Sequence, residues 1–179
     1  MPSCDLSALA YHAVMSAAPV HRNFAFIDGQ NLYLGVRDLG WRLDYRRLRI
    51  YLTAKFDIAK ALLFIGYVPA NKRLYQHLRS CGFELVFKEI DLTAPTAKGN
   101  VDVDLTLHVL TRIDEYARAA LITSDGDFAP VVSYLKGKGK FETVISPSAK
   151  KCSRLLKRAA GQRITYLDSV RSKIERTTK

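Results

Sequence analysis

The sequence predicts an α/β fold built on a mainly parallel sheet, and three observations carry that expectation. From Asn23 onward, short apolar runs alternate with segments of helical period. Gly, Pro, Asn or Asp separates each pair, which is the punctuation of βαβ units. The runs themselves are rich in Phe, Ile, Val and Leu, as strands covered on both faces must be. Five strands are expected.

In chain order, residues 1–21 read as an N-terminal extension. Its apolar stretch from Leu6 to Ala18 lacks a cationic start and is broken by His12, so it does not read as a signal peptide. FAFI (24–27) is the first strand, and DYRRLRIYLTAKF (44–56) is helical, with large apolar residues at spacings of three and four. ALLFIGYV (61–68) is the second strand, NKRLYQHLRSCG (71–82) a helix stopped by Gly82, and FELVFKEI (83–90) the third strand. VDVDLTLHV (101–109) alternates strictly, and on local evidence reads as an exposed strand with Asp102, Asp104, Thr106 and His108 on one face. A strand there would run almost directly into the next at AALITS (119–124), so a helix over 101–116 is expected instead. On that helix Asp102 and Thr106 share one face, and Asp104 and His108 another. FAPVVSYLKGKG (128–139) is a helix and FETVIS (141–146) the fifth strand. SPSAKKCSRLLKRAAG (146–161) is a closing helix, with Ser146 or Ser148 as its cap and Gly161 as its stop. The end of the chain, RSKIERTTK, reads as a frayed basic tail, giving a tail over residues 169–179.

Length and composition narrow the partners. A chain of 179 residues is ample for one domain, and 48% hydrophobic with 25% charged residues excludes collagenous and wholly disordered classes. Lys and Arg number 28 against 17 acids, a formal charge of +11, which favours a polyanionic partner. Cys4, Cys81 and Cys152 form no CxxC pair and have no His at zinc-ligand spacing, so a reducing, cytoplasmic compartment is expected. No run approaches the roughly 18 apolar residues of a membrane span, and no membrane partner is expected.

In a parallel sheet, function collects where the strands end at their carboxyl side. Asp28 follows the first strand in FIDGQNLY, with Asn31 offering an amide beside it, and Asp125 and Asp127 follow the fourth in SDGDF. Each alone could be turn or cap chemistry. Together with Asp102 they would bring up to four carboxylates into one cleft, and such clusters repel unless a cation neutralises them. An all-oxygen set selects a hard ion, Mg²⁺ or Mn²⁺. The charge is also segregated: residues 84–127 hold nine acids against four bases, and residues 136–163 hold nine bases and only Glu142. Lys150, Lys151, Arg154, Lys157 and Arg158 recur at helical spacing as a basic face. An acidic pocket rimmed by cations suits phosphodiester hydrolysis. There is no P-loop, no GxGxxG and no nucleophile elbow, and the four histidines are scattered.

FIDGQNLY, KGNVDVDL and TSDGDFAPVV, in this order and at these intervals, resemble the NYN domain family, in the LabA-like branch of the PIN-like nuclease superfamily. The resemblance spans about residues 22–168. It implies a three-layer α/β/α PIN-like fold, an Mg²⁺ or Mn²⁺ site, and RNA as substrate. It assigns Asp28, Asp102, Asp125 and Asp127 as catalytic metal ligands, and the sequence adds Asn31, Ser124, Lys98, Lys150, Lys151 and Arg154 as substrate-binding residues. The chain departs from the family pattern at an extra Asn100, at Thr123-Ser124 where Ser-Gly is usual, and at His108 where an acid is common. A metal-dependent ribonuclease is therefore expected. Its rival is an RNA-binding or regulatory module with a weak or inactive site. Phosphatases and topoisomerase-primase-like domains share an Asp-x-Asp after a strand, though the latter expects Glu where this chain has Asp28. A homodimer stays open at this point.

Overall fold

The structure is a computed structural model and describes residues 22–88 and 101–177. Lys98, the N-terminal extension and Cys4 lie outside the described residues. Among the described residues, six parallel strands form one sheet in the order β3-β2-β1-β4-β5-β6. They are β1 (Asn23–Asp28), β2 (Ile58–Gly66), β3 (Glu84–Lys88), β4 (Ala119–Ile122), β5 (Phe141–Ser146) and β6 (Ile164–Tyr166). The helices are α1 (Gly29–Arg37), α2 (Tyr45–Phe56), α3 (Lys72–Ser80), α4 (Val101–Thr111), α5 (Ala129–Gly137), α6 (Arg154–Ala160) and α7 (Arg171–Ile174).

The period-two alternation of strand side chains splits the core into two layers. Ala25 and Ile27 of β1, with Ala61 and Leu63 of β2, pack against Leu32 and Val36 of α1, Leu48 and Leu52 of α2, and Leu78 of α3. Phe24, Phe26, Leu62 and Phe64 face the other way, onto Val101, Leu105 and Val109 of α4 and Val132 and Leu135 of α5. Both faces of the central strands are therefore buried, as their unbroken apolar runs foretell. The loop between α4 and β4 is pinned by Tyr116, which is fully buried among Phe24 and Phe26 and donates its hydroxyl hydrogen to the Val109 carbonyl at 2.6 Å. Among the described residues, no helix is long and apolar enough to cross a membrane, and Cys81 and Cys152 are buried free thiols.

Four sequence expectations are corrected. The sheet has six strands rather than five: β6 is a three-residue edge strand paired to Val144, Ile145 and Ser146, too short to announce itself as an apolar run. The helix expected over 101–116 ends at Thr111. The helix expected over 146–161 begins only at Arg154, capped by Ser153, whose hydroxyl accepts from the Leu155 amide; Lys150 and Lys151 precede it in a turn. The segment RSKIERTTK is not frayed up to Thr177. Ile174 is fully buried, its carbonyl accepts from the Asp44 amide, and the Arg176 amide donates to the Arg42 carbonyl. Helix α1 had no counterpart in the sequence reading, because GQNLYLGVR carries two glycines in nine residues and helix propensity alone disfavours it.

Candidate active site

Strand order reverses between β1 and β4, since β2 and β3 extend the sheet on one side of β1 while β4, β5 and β6 extend it on the other. The crevice beyond the carboxyl ends of β1 and β4 is thus the topological switch point, where open α/β sheets bind ligands. Asp28 closes β1 and caps α1, its Oδ1 accepting from the Asn31 amide at 2.9 Å. Gly29 follows because the chain passes hard against β2: a Cβ there would stand 2.8 Å from the Phe64 carbonyl oxygen. Asp125 follows β4 and caps the short turn that carries Asp127, accepting from the Asp127 amide at 3.0 Å while its own amide donates to Thr123 Oγ1 at 3.1 Å. Asn31 ties the two strand ends together, its Oδ1 accepting from the Ser124 amide at 2.8 Å. Ser124 Oγ lies 2.9 Å from Ser146 Oγ at the end of β5.

The acids sense one another. Burial leaves Asp28 only 7% exposed and pushes its carboxyl up to about 6. The Asn31 amide opposes that rise, and the charges of Asp102 and Asp125 add to it. Asp102 is also raised, first by burial, then by Asp125 and Asp127, with Lys88 opposing. Asp102 and Asp127 line the same cleft of about 370 Å³, walled by Thr106, Leu107 and Phe128. Asp104 turns elsewhere and pairs with Lys88 of β3 at 3.4 Å. VDVD is helical, and its two aspartates differ in their surroundings, although Lys88 acts on both. Among the described residues, no three acidic, His or Cys side chains stand as a formed metal-binding group. His108 packs edge-on against Phe64 at 5.2 Å, and its buried Nδ1 has no hydrogen-bond partner among the described residues.

On the far side of Asp127 an open groove of about 800 Å³ runs between α5 and α6, with Ser133, Lys136 and Arg158 along it. The basic run beyond residue 136 is less available than its count suggests. Lys136 donates to the Ala159 carbonyl, Lys140 to Tyr116, Lys157 to Ala149 and Arg163 to Phe141. Lys151 pairs with Asp38 at 2.5 Å. Lys150, Arg154 and Arg158 are exposed. Among the arginines of residues 42–49, Arg49 holds the carbonyls of Gly82, Ile58 and Ala59, and Arg47 holds that of Glu175. Sequence reasoning missed that so many cations serve as backbone ties, because those carbonyls are 8 to 128 residues away along the chain. It also missed Lys88, which approaches the acidic helix face only once β3 and α4 are folded together.

Comparison with known proteins bears on the family and the fold. The chain is 26% identical over 165 residues to the low amplitude and bright protein LabA of Synechococcus elongatus, covering 86% of this chain and 88% of that protein. A solved structure of a protein of unknown function from Vibrio parahaemolyticus superposes with a TM-score of 0.74 at 23% identity, covering 89% of this chain and 99% of that one, and it supports the three-layer fold. The NYN domain profile matches residues 24–168, so the strands, the switch-point crevice and all four aspartates fall inside the matched region, and the chain belongs to the NYN domain family.

Proposed function

We propose that the protein is a metal-dependent ribonuclease that hydrolyses RNA phosphodiester bonds at the crevice between β1 and β4. The observation that carries this reading is the placement of Asp28 and Asp125 at the carboxyl ends of β1 and β4, tied together through Asn31 and the Ser124 amide, with Asp102 and Asp127 lining one cleft beside them, in an NYN domain. Repelling carboxylates held together by a fold are a standing demand for positive charge. The donor set suits a hard divalent cation, being all oxygen, and Asp28, Asp102, Asp125 and Asp127 would hold Mg²⁺ or Mn²⁺. When bound, such a cation supplies Lewis acidity and neutralises charge on the reacting phosphate.

The chain's own groups do the rest. Asn31 fixes the Asp28 turn to the Asp125 turn through the Ser124 amide, so the acids keep their spacing. Arg158 and Lys136, along the groove beside Asp127, together with exposed Lys150 and Arg154, are suited to flanking phosphates, which fix register without reading sequence. An RNA-binding module of low turnover is the second reading. It is favoured by His108, which stands where an acid is common in the family pattern and packs its imidazole edge-on against Phe64. Labelled single-stranded RNA incubated with the protein in Mn²⁺, Mg²⁺ or EDTA separates the two. Cleavage in Mn²⁺ that EDTA stops and that Asp28→Asn lowers by orders of magnitude supports the nuclease. Binding without cleavage in either metal supports the module.

A further inference from the structure

Beside the acidic crevice, on the α1 side of the sheet, lies a pocket that the hydrolytic reading leaves unused. It opens directly after Asp28, where Gly29 and Gln30 form one edge, and has a volume of about 530 Å³. Leu63 and Ile65 of β2 contribute apolar lining, Tyr33 and Tyr45 aromatic lining, the latter ring edge-on to Phe83 at 6.0 Å, and Gln30 and Asn71 supply amides. That volume falls in the range of roughly 300–1,000 Å³ typical of small-ligand sites, and an apolar cavity with a few convergent polar groups is their usual make-up. Tyr33 is 56% exposed although it is a large aromatic ring. Tyr33 and Tyr45 also line a second cleft, of about 420 Å³, whose other members include Arg37, Trp41, Arg42 and Arg176. Arg37 lies over the Tyr33 ring at 5.8 Å. Burial pushes the Tyr45 hydroxyl up, with the neighbouring Tyr33 as the second cause.

Aromatic walls next to guanidinium groups are the make-up of single-strand nucleic-acid sites, in which bases stack on rings while cations follow the backbone. Paired bases cannot reach such walls, so the site selects unpaired strand. We infer that the pocket between α1, α2 and α3 is a nucleobase subsite: it takes an unpaired base of an RNA strand by stacking on Tyr33 and Tyr45, with Gln30 and Asn71 facing the base edge, and Arg37, Arg42 and Arg176 hold the neighbouring phosphates. This deepens the nucleic-acid reading above and rests on it. Gly29 and Gln30 follow the end of β1, and Ile65 and Gly66 end β2, so the pocket lies at the same carboxyl edge of the sheet as Asp28. The strand is thus held on the β1 side of the switch point by stacking, and on the β4 side by the cations near Asp127.

The test uses a 10-nucleotide single-stranded RNA bearing one 2-aminopurine, in EDTA so that binding is read apart from cleavage. Binding to the wild-type protein should quench the 2-aminopurine emission. Tyr33→Ala should remove the quench and weaken binding by roughly 5- to 150-fold, the loss typical of one stacked base. Tyr33→Trp should keep both, which separates stacking from a change in fold. The blunt-ended duplex of the same sequence should bind more weakly than the single strand. Equal affinity of Tyr33→Ala and wild type, or a duplex that binds as tightly, overturns the subsite. Binding and quenching by a protein that cleaves no RNA in Mn²⁺ leave the subsite standing and remove the nuclease reading. Cleavage that Tyr33→Ala leaves intact, in rate and in affinity, does the reverse.

Discussion

Asp28 is held ionisable in a place that disfavours its charge. Its folded-state carboxyl titrates near 6, against about 3.9 for an aspartate in an unfolded chain. Between those values the folded protein binds more protons than the unfolded one, so this group makes stability rise as pH falls through the window from about 6 to about 4. Above 6 its full cost is present, on the order of 3 kcal/mol; below about 4 the cost is gone. Asp38, Glu115 and Glu175 are lowered by their cationic partners and run the opposite way, so the effect of Asp28 must be read as a difference. Thermal unfolding of wild type and Asp28→Asn in EDTA should diverge from pH 4 to pH 7, the variant being the more stable at neutral pH. Parallel curves would mean that Asp28 is solvated turn chemistry. Asp28 and Asn31 were legible as a pair because a strand ending in Asp-Gly leaves few places for the side chain to go. That Asn31 reaches Ser124, 93 residues on, was not legible, since only the sheet order brings β1 and β4 together.

Helix α4 shows how one element distributes function. VDVD alternates like a strand, and its hydrophobic signal is split between two faces: Leu105 and Val109 are buried while Val103 and Leu107 are exposed. Only the brevity of the link to β4 made helix the better reading, and the coil of the helix then sends Asp102 toward Asp127 and Asp104 toward Lys88. Asp102→Asn should lower RNA cleavage by orders of magnitude. Asp104→Asn should change it little, and should cost less than about 1 kcal/mol in stability, the range of exposed ion pairs. Equal losses of cleavage would mean that both acids serve the site. The sixth strand and the docked C-terminal segment were illegible for the converse reason: ITY is too short to show a period, and the burial of Ile174 comes from α2 and Leu43 rather than from its own neighbours in sequence.

Across the whole molecule, the excess of +11 is divided between cations that tie the fold and cations that face solvent. If Lys150, Lys151 and Arg154 contact phosphates, changing all three to Gln should shallow the log–log dependence of RNA affinity on salt by up to about 2. A change nearer 1.4 is expected if Lys151 stays with Asp38, because only two phosphates then lose a partner. An unchanged slope would move the phosphate path to other cations, such as Arg158, Arg42 and Arg176. The fold as a βα alternation was legible because buried parallel strands write continuous apolar runs. The division of the basic residues was not, because a lysine that binds a distant carbonyl looks in sequence like one that faces solvent. The central claim is that the acidic crevice is a cation site, and the most direct measurement is the unfolding temperature of wild type and Asp28→Asn at pH 7, with and without Mn²⁺. At about 100-fold excess over its dissociation constant, the ion should raise the wild-type midpoint by roughly 5–11 °C, corresponding to about 2.7 kcal/mol. Asp28→Asn should start higher in EDTA and gain almost nothing from Mn²⁺. A wild-type midpoint that Mn²⁺ leaves unmoved, or a variant that gains as much as wild type, would contradict the account.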